Sequence, residues 1–497
     1  MFKKILIANR GEITIRVARA CQELGIATVG VYSTVDKTSL HLRYMDEAVW
    51  IGDSAPLASY LNIDAIIDAA KKTKSEAIHP GYGFLAENEL FASACENAGI
   101  IFIGPSSKSL ALVGDKIASR NTVKKLGVPI IPGMEMANTD ISKFKITAKR
   151  VGYPVMVKAS MGGGGKGMRI VRNEKELESS IAAGQREAKS SFGDDSIYLE
   201  KYIEQPHHIE FQVLRDKFGN CVHLYERECS IQRRHQKIIE ETPSPVLNDD
   251  LRMKMGEAAK RVIETADYTS AGTVEFLLDK DKNFYFLEVN ARIQVEHPIT
   301  EMVTGVDLVR QQILIAAGEK LKLRQEQISQ NGHAIEARIY AEDADNDFLP
   351  SPGKILFLNE PSGPGIRVDT GIYQGWNIPP HYDPILSKLI VWAEDRKSCL
   401  PRISNALKNY ILLGLKTNIS YLRRIINTKK FMIGKYNTHF IGENEKNLKP
   451  STENLDIALI AAALDKEKEK LSLTTETSIK SNPWKEIGEW EICKKNT

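Results

Sequence analysis

Between Glu275 and Glu296 the chain concentrates groups that bind metals and move protons. It reads Glu-Phe-Leu-Leu-Asp-Lys-Asp-Lys-Asn-Phe-Tyr-Phe-Leu-Glu-Val-Asn-Ala-Arg-Ile-Gln-Val-Glu. Two apolar, aromatic-rich runs flank the polar segment Asp279 to Asn283, a pattern that predicts a β-hairpin. A turn centred between Asp281 and Lys282 sets Glu275 opposite Glu288, with side chains roughly 5 Å apart at Cβ. Period-two alternation then puts Glu288, Asn290 and Arg292 on that same face. Paired carboxylates repel unless a cation sits between them, and two carboxylates plus an amide oxygen suit a hard ion such as Mg2+. The pattern reads as a nucleotide-metal site with an arginine beside it for an anionic second substrate. A solvated edge hairpin is the plainer alternative, but it gives no reason for Glu, Glu, Asn and Arg to share one face.

The elements that must hold this hairpin follow from the rest of the chain. The N-terminal part alternates strand and helix: Lys4 to Ala8, Ile13 to Leu24, Ala27 to Tyr32, Ile63 to Thr73, then strands at Ala77 to His79 and Ile100 to Gly104. That alternation predicts a Rossmann-like parallel sheet with right-handed crossovers. The loop Asn9 to Glu12 lacks the glycine spacing of a dinucleotide site. A boundary near Gly114 precedes a new helix, and Pro129 and Pro132 lead into a small α+β unit ending near Glu204. Strands and the hairpin fill 207 to about 320. Further strands follow Gly332, then a helix-rich stretch to about Phe440. Beyond Asn447 the chain turns polar, with a short apolar helix at Asp456 to Leu464 and with Trp484 and Trp490 as docking candidates; a loosely packed tail fits equally well.

Four more segments carry chemistry. The run Gly162 to Gly167 (Gly-Gly-Gly-Gly-Lys-Gly) has neither the Ser/Thr nor the following helix of the usual phosphate loop. Without Cβ atoms its amides can close over phosphate oxygens as a flap; a flexible linker is the alternative. Lys158, finishing the preceding strand, is placed to hold phosphates. Lys116 could do likewise, or be solvated. Leu199 to Ile203 reads as a hinge offering backbone groups to a purine, or as a plain interdomain strand. Glu228 to Lys237 gathers donors into an anion cradle or a charged loop. Cys229 there reads as a packed thiol despite cationic neighbours. Glu296, beside Arg292, is a candidate general base. Arg338 alternates with Glu336 on another strand and by itself would pass as a structural ion pair.

Size and composition narrow the class. The 497 residues allow two to four domains. A net charge of +3 makes nucleic acid a poor partner. Six cysteines without a CxxC pair suggest neither a zinc ribbon nor a disulfide framework, so reduced thiols in the cytoplasm are expected. The apolar run near Met1 is too short for a signal peptide and no stretch is long enough to span a membrane, so neither export nor a membrane is expected. Met253-Lys254-Met255 matches a biotin-attachment tripeptide, but it falls in a helical pattern rather than at a hairpin tip, so attachment there is not expected.

Taken together, Ala8-Asn-Arg-Gly-Glu-Ile13, His79-Pro-Gly-Tyr-Gly-Phe-Leu-Ala-Glu-Asn88, the glycine run, Cys229 to Lys237 and Asn290-Ala-Arg-Ile-Gln-Val-Glu-His-Pro298 resemble the biotin carboxylase component of biotin-dependent carboxylases, an ATP-grasp enzyme. The resemblance covers residues 1 to about 446. Ala291 stands where the family has Thr or Ser, and Pro384 and Ser387 depart mildly from its pattern. It implies an α/β and α+β fold in four parts: a Rossmann-like N-terminal domain (1–114), an ATP-grasp domain (115–330) with a mobile glycine-rich lid at about 131–204, a C-terminal α+β biotin carboxylase domain (331–446) and a polar tail (447–497).

The resemblance also implies roles. Lys116, Lys158, Gly164, Gly165, Glu200, Lys201, Tyr202, Ile203 and His208 would bind ATP, with His235 nearby. Glu275, Glu288 and Asn290 would hold Mg2+ or Mn2+, two ions in all. Lys237, Arg292, Gln294 and the Val295 backbone would fix bicarbonate, and Glu296 would deprotonate it. Carboxyphosphate would form and release CO2, and Arg338 would stabilise the biotin enolate. Biotin would arrive on a separate carrier protein, with the carboxyltransferase on another chain and a homodimer as the assembly. The tail is similar to those of stand-alone pyruvate carboxylase biotin-carboxylating subunits and some acyl-CoA carboxylase subunits, and of these pyruvate is the acceptor expected. An ATP-grasp ligase activating another carboxylate, and a catalytically silent homologue, are the competing readings; the second would be expected to lack Lys237, Glu296 or a metal ligand.

Overall fold

In the computed structural model, which describes residues 1–114, 116–159, 168–451 and 455–475, the N-terminal strands form a five-stranded sheet. Its order is Glu47–Gly52, Ala27–Ser33, Lys4–Ile7, Ala77–His79, Ile101–Phe102, and every pairing is parallel. The helix Ile63–Thr73 shows why the segments between become helices. Asn62 caps it by accepting the Ala65 N–H at 3.1 Å, and Ile66, Ile67, Ala69 and Ala70 bury one face. The strand expected at Ile100 to Gly104 is reduced to Ile101–Phe102. The edge strand Glu47–Gly52 and the helix Glu89–Asn97 are additions; mostly exposed, the edge strand has no alternating pattern to betray it.

The small α+β unit is an antiparallel sheet, Arg169–Val171, Val155–Ala159 and Ile197–Lys201, beneath the helices Ile141–Val151 and Glu174–Phe192. Phe144, Val155, Val157, Ile181 and Leu199 form its core. Gly133 lies against the exit strand. A Cβ there would meet the Leu199 carbonyl oxygen at 2.5 Å and Glu200 Cα at 2.8 Å, so only glycine lets the two backbones touch.

The largest element is an eight-stranded antiparallel sheet. Its order is Phe284–Asn290, Ser270–Leu278, His207–Arg215, Cys221–Arg233, Gln236–Thr242, His333–Tyr340, Ile385–Ala393, Ile366–Thr370. It runs unbroken across the expected boundary at residue 330, because Gln236–Thr242 pairs directly with His333–Tyr340. In the hairpin, Glu275 does oppose Glu288, and Thr273 opposes Asn290. The turn is centred one half-step earlier than expected, on Asp281. Asp279 Oδ1 accepts the N–H groups of Asp281 and Asn283, and a register shift between Glu275 and Phe276 absorbs the difference.

Residues Met1–Leu448 form one compact unit and Lys449–Thr497 a second. In the second, the helix expected at Asp456 to Leu464 runs on from Leu455 to Thr475, through a stretch of strong helix formers. Trp484 and Trp490 lie outside the described residues, as do Gly164 and Gly165 and the side chain of Lys116. Among the described residues no helix is long and apolar enough to cross a membrane. Met253-Lys254-Met255 does lie within a helix, Asp249–Thr265.

Candidate functional site

Register across the large sheet assembles the site. Arg227, Glu210, Glu275 and Glu288 stand in one row over four neighbouring strands, each opposite the next. Gln212, Thr273 and Asn290 form the adjoining row, two residues along, on the same face. Alternation turns apolar residues such as Ile209, Phe211, Val274 and Phe276 to the other face, where they are buried.

Lys237 gathers this row. Its Nζ donates to Glu275 Oε1 and Glu296 Oε1, both at 2.8 Å, and to Glu210. Burial opposes the ammonium charge, but the three carboxylates outweigh it and hold its pKa well above the ordinary value. Glu296 ends the loop after the hairpin, immediately before the helix His297–Thr304. Its other oxygen accepts from Arg338 Nη2 at 2.9 Å. Burial pushes the Glu296 carboxyl up, yet Lys237, Arg338 and Arg227 hold it well below the usual carboxylate range. Arg338 also donates through Nε to Glu240 at 2.7 Å. It is therefore paired with acids from two elements and not with Glu336.

Arg227 sits wholly inside. It donates to Glu210, Gln212, Thr300, Thr273 and Gln294, the last at 2.7 Å, and Gln294 Nε2 in turn reaches Glu275 Oε1 at 3.1 Å. Arg292 lies beyond the strand, where Glu87 takes its Nε at 3.0 Å and Asn290 Oδ1 its Nη2 at 3.3 Å. Glu296 and Arg292 have different hydrogen-bond partners, although the Glu296 charge still helps raise the Arg292 pKa. The Val295 carbonyl accepts from the fully buried Lys388 at 2.9 Å.

The nucleotide candidates lie on the small unit and the sheet margin. Lys158 pairs with Glu200, whose second oxygen accepts from Arg120 Nη1 at 3.0 Å. Both carboxylate oxygens of Glu200 are thus engaged by cations, at the end of the strand Ile197–Lys201. Lys201 is tied to the carbonyls of Gly152 and Tyr153, Tyr202 OH is 2.8 Å from His439 Nε2, and Ile203 is half-buried. His208 Nε2 lies 3.0 Å from Glu275 Oε2, which raises its pKa against the effect of burial.

The donor-rich run from Glu228 is the end of a hairpin rather than a loop. Arg233 opposes Gln236, and Arg234 and His235 between them both have positive φ, as a two-residue type I′ turn requires. Its basic residues part company: Lys237 enters the acid cluster, Arg233 stacks on Phe348 at 3.8 Å, and Arg234 and His235 are exposed. Cys229 is completely buried, and burial with Glu210 nearby raises its thiol pKa well above normal. Native protein is accordingly expected to leave Cys229 unmodified by iodoacetamide at pH 8, read by peptide mass mapping against a urea-unfolded control.

Two carboxylates and an amide oxygen, Glu275, Glu288 and Asn290, remain a suitable donor set for a hard divalent ion. Among the described residues, His, Cys and carboxylate ligand atoms converge within 4.8 Å in two overlapping groups, His208 with Glu210 and Glu275, and Glu210 with Cys229 and Glu296. Lys237 and His208 also engage the Glu275 carboxylate. Glu210, Arg227, Glu87, Glu240 and Lys388 were not among the residues singled out in the sequence. The alternation His208, Glu210, Gln212 inside an apolar strand was the one signal that could have found the first.

Models of known families match this chain in three parts. Residues 1–110 match the biotin carboxylase N-terminal domain, 115–324 the ATP-binding domain of the carbamoyl-phosphate synthase L chain, and 336–443 the biotin carboxylase C-terminal domain. A biotin carboxylase from Nostoc sp. is 52% identical over 446 residues, 90% of this chain and 100% of the relative. The pyruvate carboxylase A-type subunit from Methanothermobacter thermautotrophicus is 53% identical over 448 residues, 90% of this chain and 91% of the relative. The biotin carboxylase domain dimer of Hydrogenobacter thermophilus 2-oxoglutarate carboxylase, solved with MgADP, ADP and bicarbonate, is 49% identical with a TM-score of 0.88, covering 91% of this chain and 99% of that one.

Proposed function

We propose, from the premise that this chain belongs to the biotin carboxylase family of ATP-grasp ligases, that it uses ATP and bicarbonate to carboxylate biotin borne on a separate carrier protein. The observation that carries this reading is Glu296 held between Lys237 and Arg338: a buried carboxylate beside two cations, one for an anionic substrate and one for a developing oxyanion.

Lys158, His208 and the segment Glu200 to Ile203 take the nucleotide, together with Lys116, Gly164, Gly165 and His235. Glu275, Glu288 and Asn290 hold Mg2+ or Mn2+, which neutralises phosphate charge when bound. Lys237, Arg292, Gln294 and the Val295 backbone fix bicarbonate, and Glu296 removes its proton. The freed oxygen attacks the γ-phosphorus, ADP leaves, and carboxyphosphate breaks down to CO2 and phosphate inside a site that excludes water. Phosphate takes the ureido N–H proton of biotin. Arg338 stabilises the enolate oxygen, and the nitrogen captures CO2.

The parts are an N-terminal domain (1–114), an ATP-grasp domain (115–330), a C-terminal domain (331–446) and a tail (447–497). The working form is a cytoplasmic homodimer served by separate carrier and carboxyltransferase chains. We assign pyruvate as the final acceptor. The support is a pyruvate carboxylase relative of similar length and a structural neighbour that serves another 2-oxo acid, 2-oxoglutarate.

The test is ADP release by purified protein with Mg-ATP, with bicarbonate added or withheld and with or without free biotin. Bicarbonate-dependent turnover stimulated by biotin is expected. Turnover indifferent to biotin would point instead to a ligase for another carboxylate.

A further inference from the structure

The sheet face that carries Arg338 also holds two acids to which the reaction scheme gives no task. Glu240 and Glu336 stand directly opposite each other on neighbouring antiparallel strands. Both are completely buried, and direct opposition puts their side chains about 5 Å apart at Cβ. Arg338, two residues beyond Glu336, points to the same side. It donates Nε to Glu240 Oε1 at 2.7 Å and Nη2 to Glu296 Oε2 at 2.9 Å.

The other buried cation nearby is committed elsewhere. Lys388, opposite Arg338 on the next strand, donates to the Val295 carbonyl at 2.9 Å and lies 3.2 Å from Glu12 Oε1. Neither oxygen of Glu336 has a hydrogen-bond partner, and nor does Glu240 Oε2. A buried carboxylate with no donor on either oxygen is strongly disfavoured. A second carboxylate directly opposite disfavours its charge further.

We propose that Glu240 and Glu336 form a carboxyl pair holding one proton, with Glu336 as the acid and Glu240 as the carboxylate that fixes the Nε edge of Arg338. Both are then positioning residues for the step at Arg338, and the inference rests on the role given to Arg338 above. The groups facing the pair are Arg338 and Tyr340 on Glu336's own strand, Lys237 on Glu240's, Cys229 on Cys221–Arg233, Lys388 on Ile385–Ala393, and Glu296 ahead of its helix. Burial pushes Glu336 well above the usual carboxylate range and Glu240 up to about 7. Rising pH through that value therefore ionises Glu240 and tightens its hold on Arg338. Below it the hold is lost while Glu296 stays charged.

The experiment follows ADP release by the full chain against pH, with Mg-ATP and bicarbonate, with and without free biotin. A biotin-stimulated rate that climbs through a limb near pH 7, absent from the biotin-independent rate, is expected. Glu240→Gln should abolish that limb and raise KM for biotin by about tenfold, the scale of one lost charge-assisted hydrogen bond, with a smaller loss in biotin-independent turnover. Glu336→Gln imitates the neutral acid, so it should keep the limb and hold KM within about twofold. Glu240→Gln retaining the limb, or Glu336→Gln losing it, overturns the inference. Should Glu240→Gln fail to fold, the unmodified protein decides: equal pH dependence of the two rates overturns it. No biotin stimulation at any pH would remove the proposed function and this inference together. Stimulation without the limb would remove this inference alone.

Discussion

Glu296→Gln is expected to lower biotin-stimulated ADP release by about 10²–10⁴-fold, the range spanned by positioned acid–base groups. The amide keeps the size of the carboxyl and can still accept from Lys237 or Arg338, so folding should survive. The charge, one of the two acceptor oxygens and the ability to take a proton are lost. The ground-state geometry adds a condition. With Lys237 at 2.8 Å and Arg338 at 2.9 Å, Glu296 is held far below the usual carboxylate range, and a carboxylate so stabilised is a poor base. Its basicity returns only as those cations turn toward an incoming anion. Bicarbonate would thus draw off the charges that keep its own base quiet, and nucleotide alone would not. Isotope exchange between bicarbonate and phosphate in single-turnover reactions checks this. A Gln variant with unchanged exchange would remove Glu296 from the step.

Lys237→Met is expected to cost both activity and stability. The ammonium is the shared partner of Glu210, Glu275 and Glu296, all buried. Removing one partner of a buried ionic cluster typically costs about 3–5 kcal/mol, because the remaining charges are left uncompensated. His208, Arg227 and Arg338 still face these carboxylates, so the lower end of that range is expected. The pH dependence has a definite sign. Glu275 and Glu296 have folded pKa values well below 4.5, so they stabilise the native state at pH 7 and that stability is lost as pH falls through those values. Lys237→Met forfeits part of it. The gap between variant and unmodified protein should be widest near neutrality and narrow in acid. Urea unfolding at pH 7.5 and at about pH 3, below the ordinary carboxylate value, measures it, and a gap independent of pH would contradict the electrostatic account.

What could be read from the sequence was set by how local the signal is. The opposition of Glu275 and Glu288 depends on one hairpin, and alternation around a short turn was enough to find it. The one-residue register shift was not legible, because a bulge has no mark in this composition. The acid cluster is different. Glu210, Lys237, Glu296 and Arg338 come from four separate stretches, and only the pairing of distant strands brings them together. Resemblance to a family singled out three of these, while Glu210 and Arg227 look like ordinary strand residues until their neighbours are known. Arg292 is a different case: the strand ends at Asn290, and the guanidinium donates to Glu87 as well as to Asn290, a partner that spacing along the hairpin gave no sign of.

The eight-stranded sheet bears on how such a chain could be rearranged. Its sequence divides near residue 330, yet the backbone ladder between Gln236–Thr242 and His333–Tyr340 crosses that division. Separating the two sides would expose two long strand edges, each a template for unwanted pairing. Glu240 and Arg338, one on either side of the cut, would also lose each other. The boundary therefore marks a place where homologues align in segments and not a place where modules can be exchanged, and recombination here would have to carry both strands as a single inherited block.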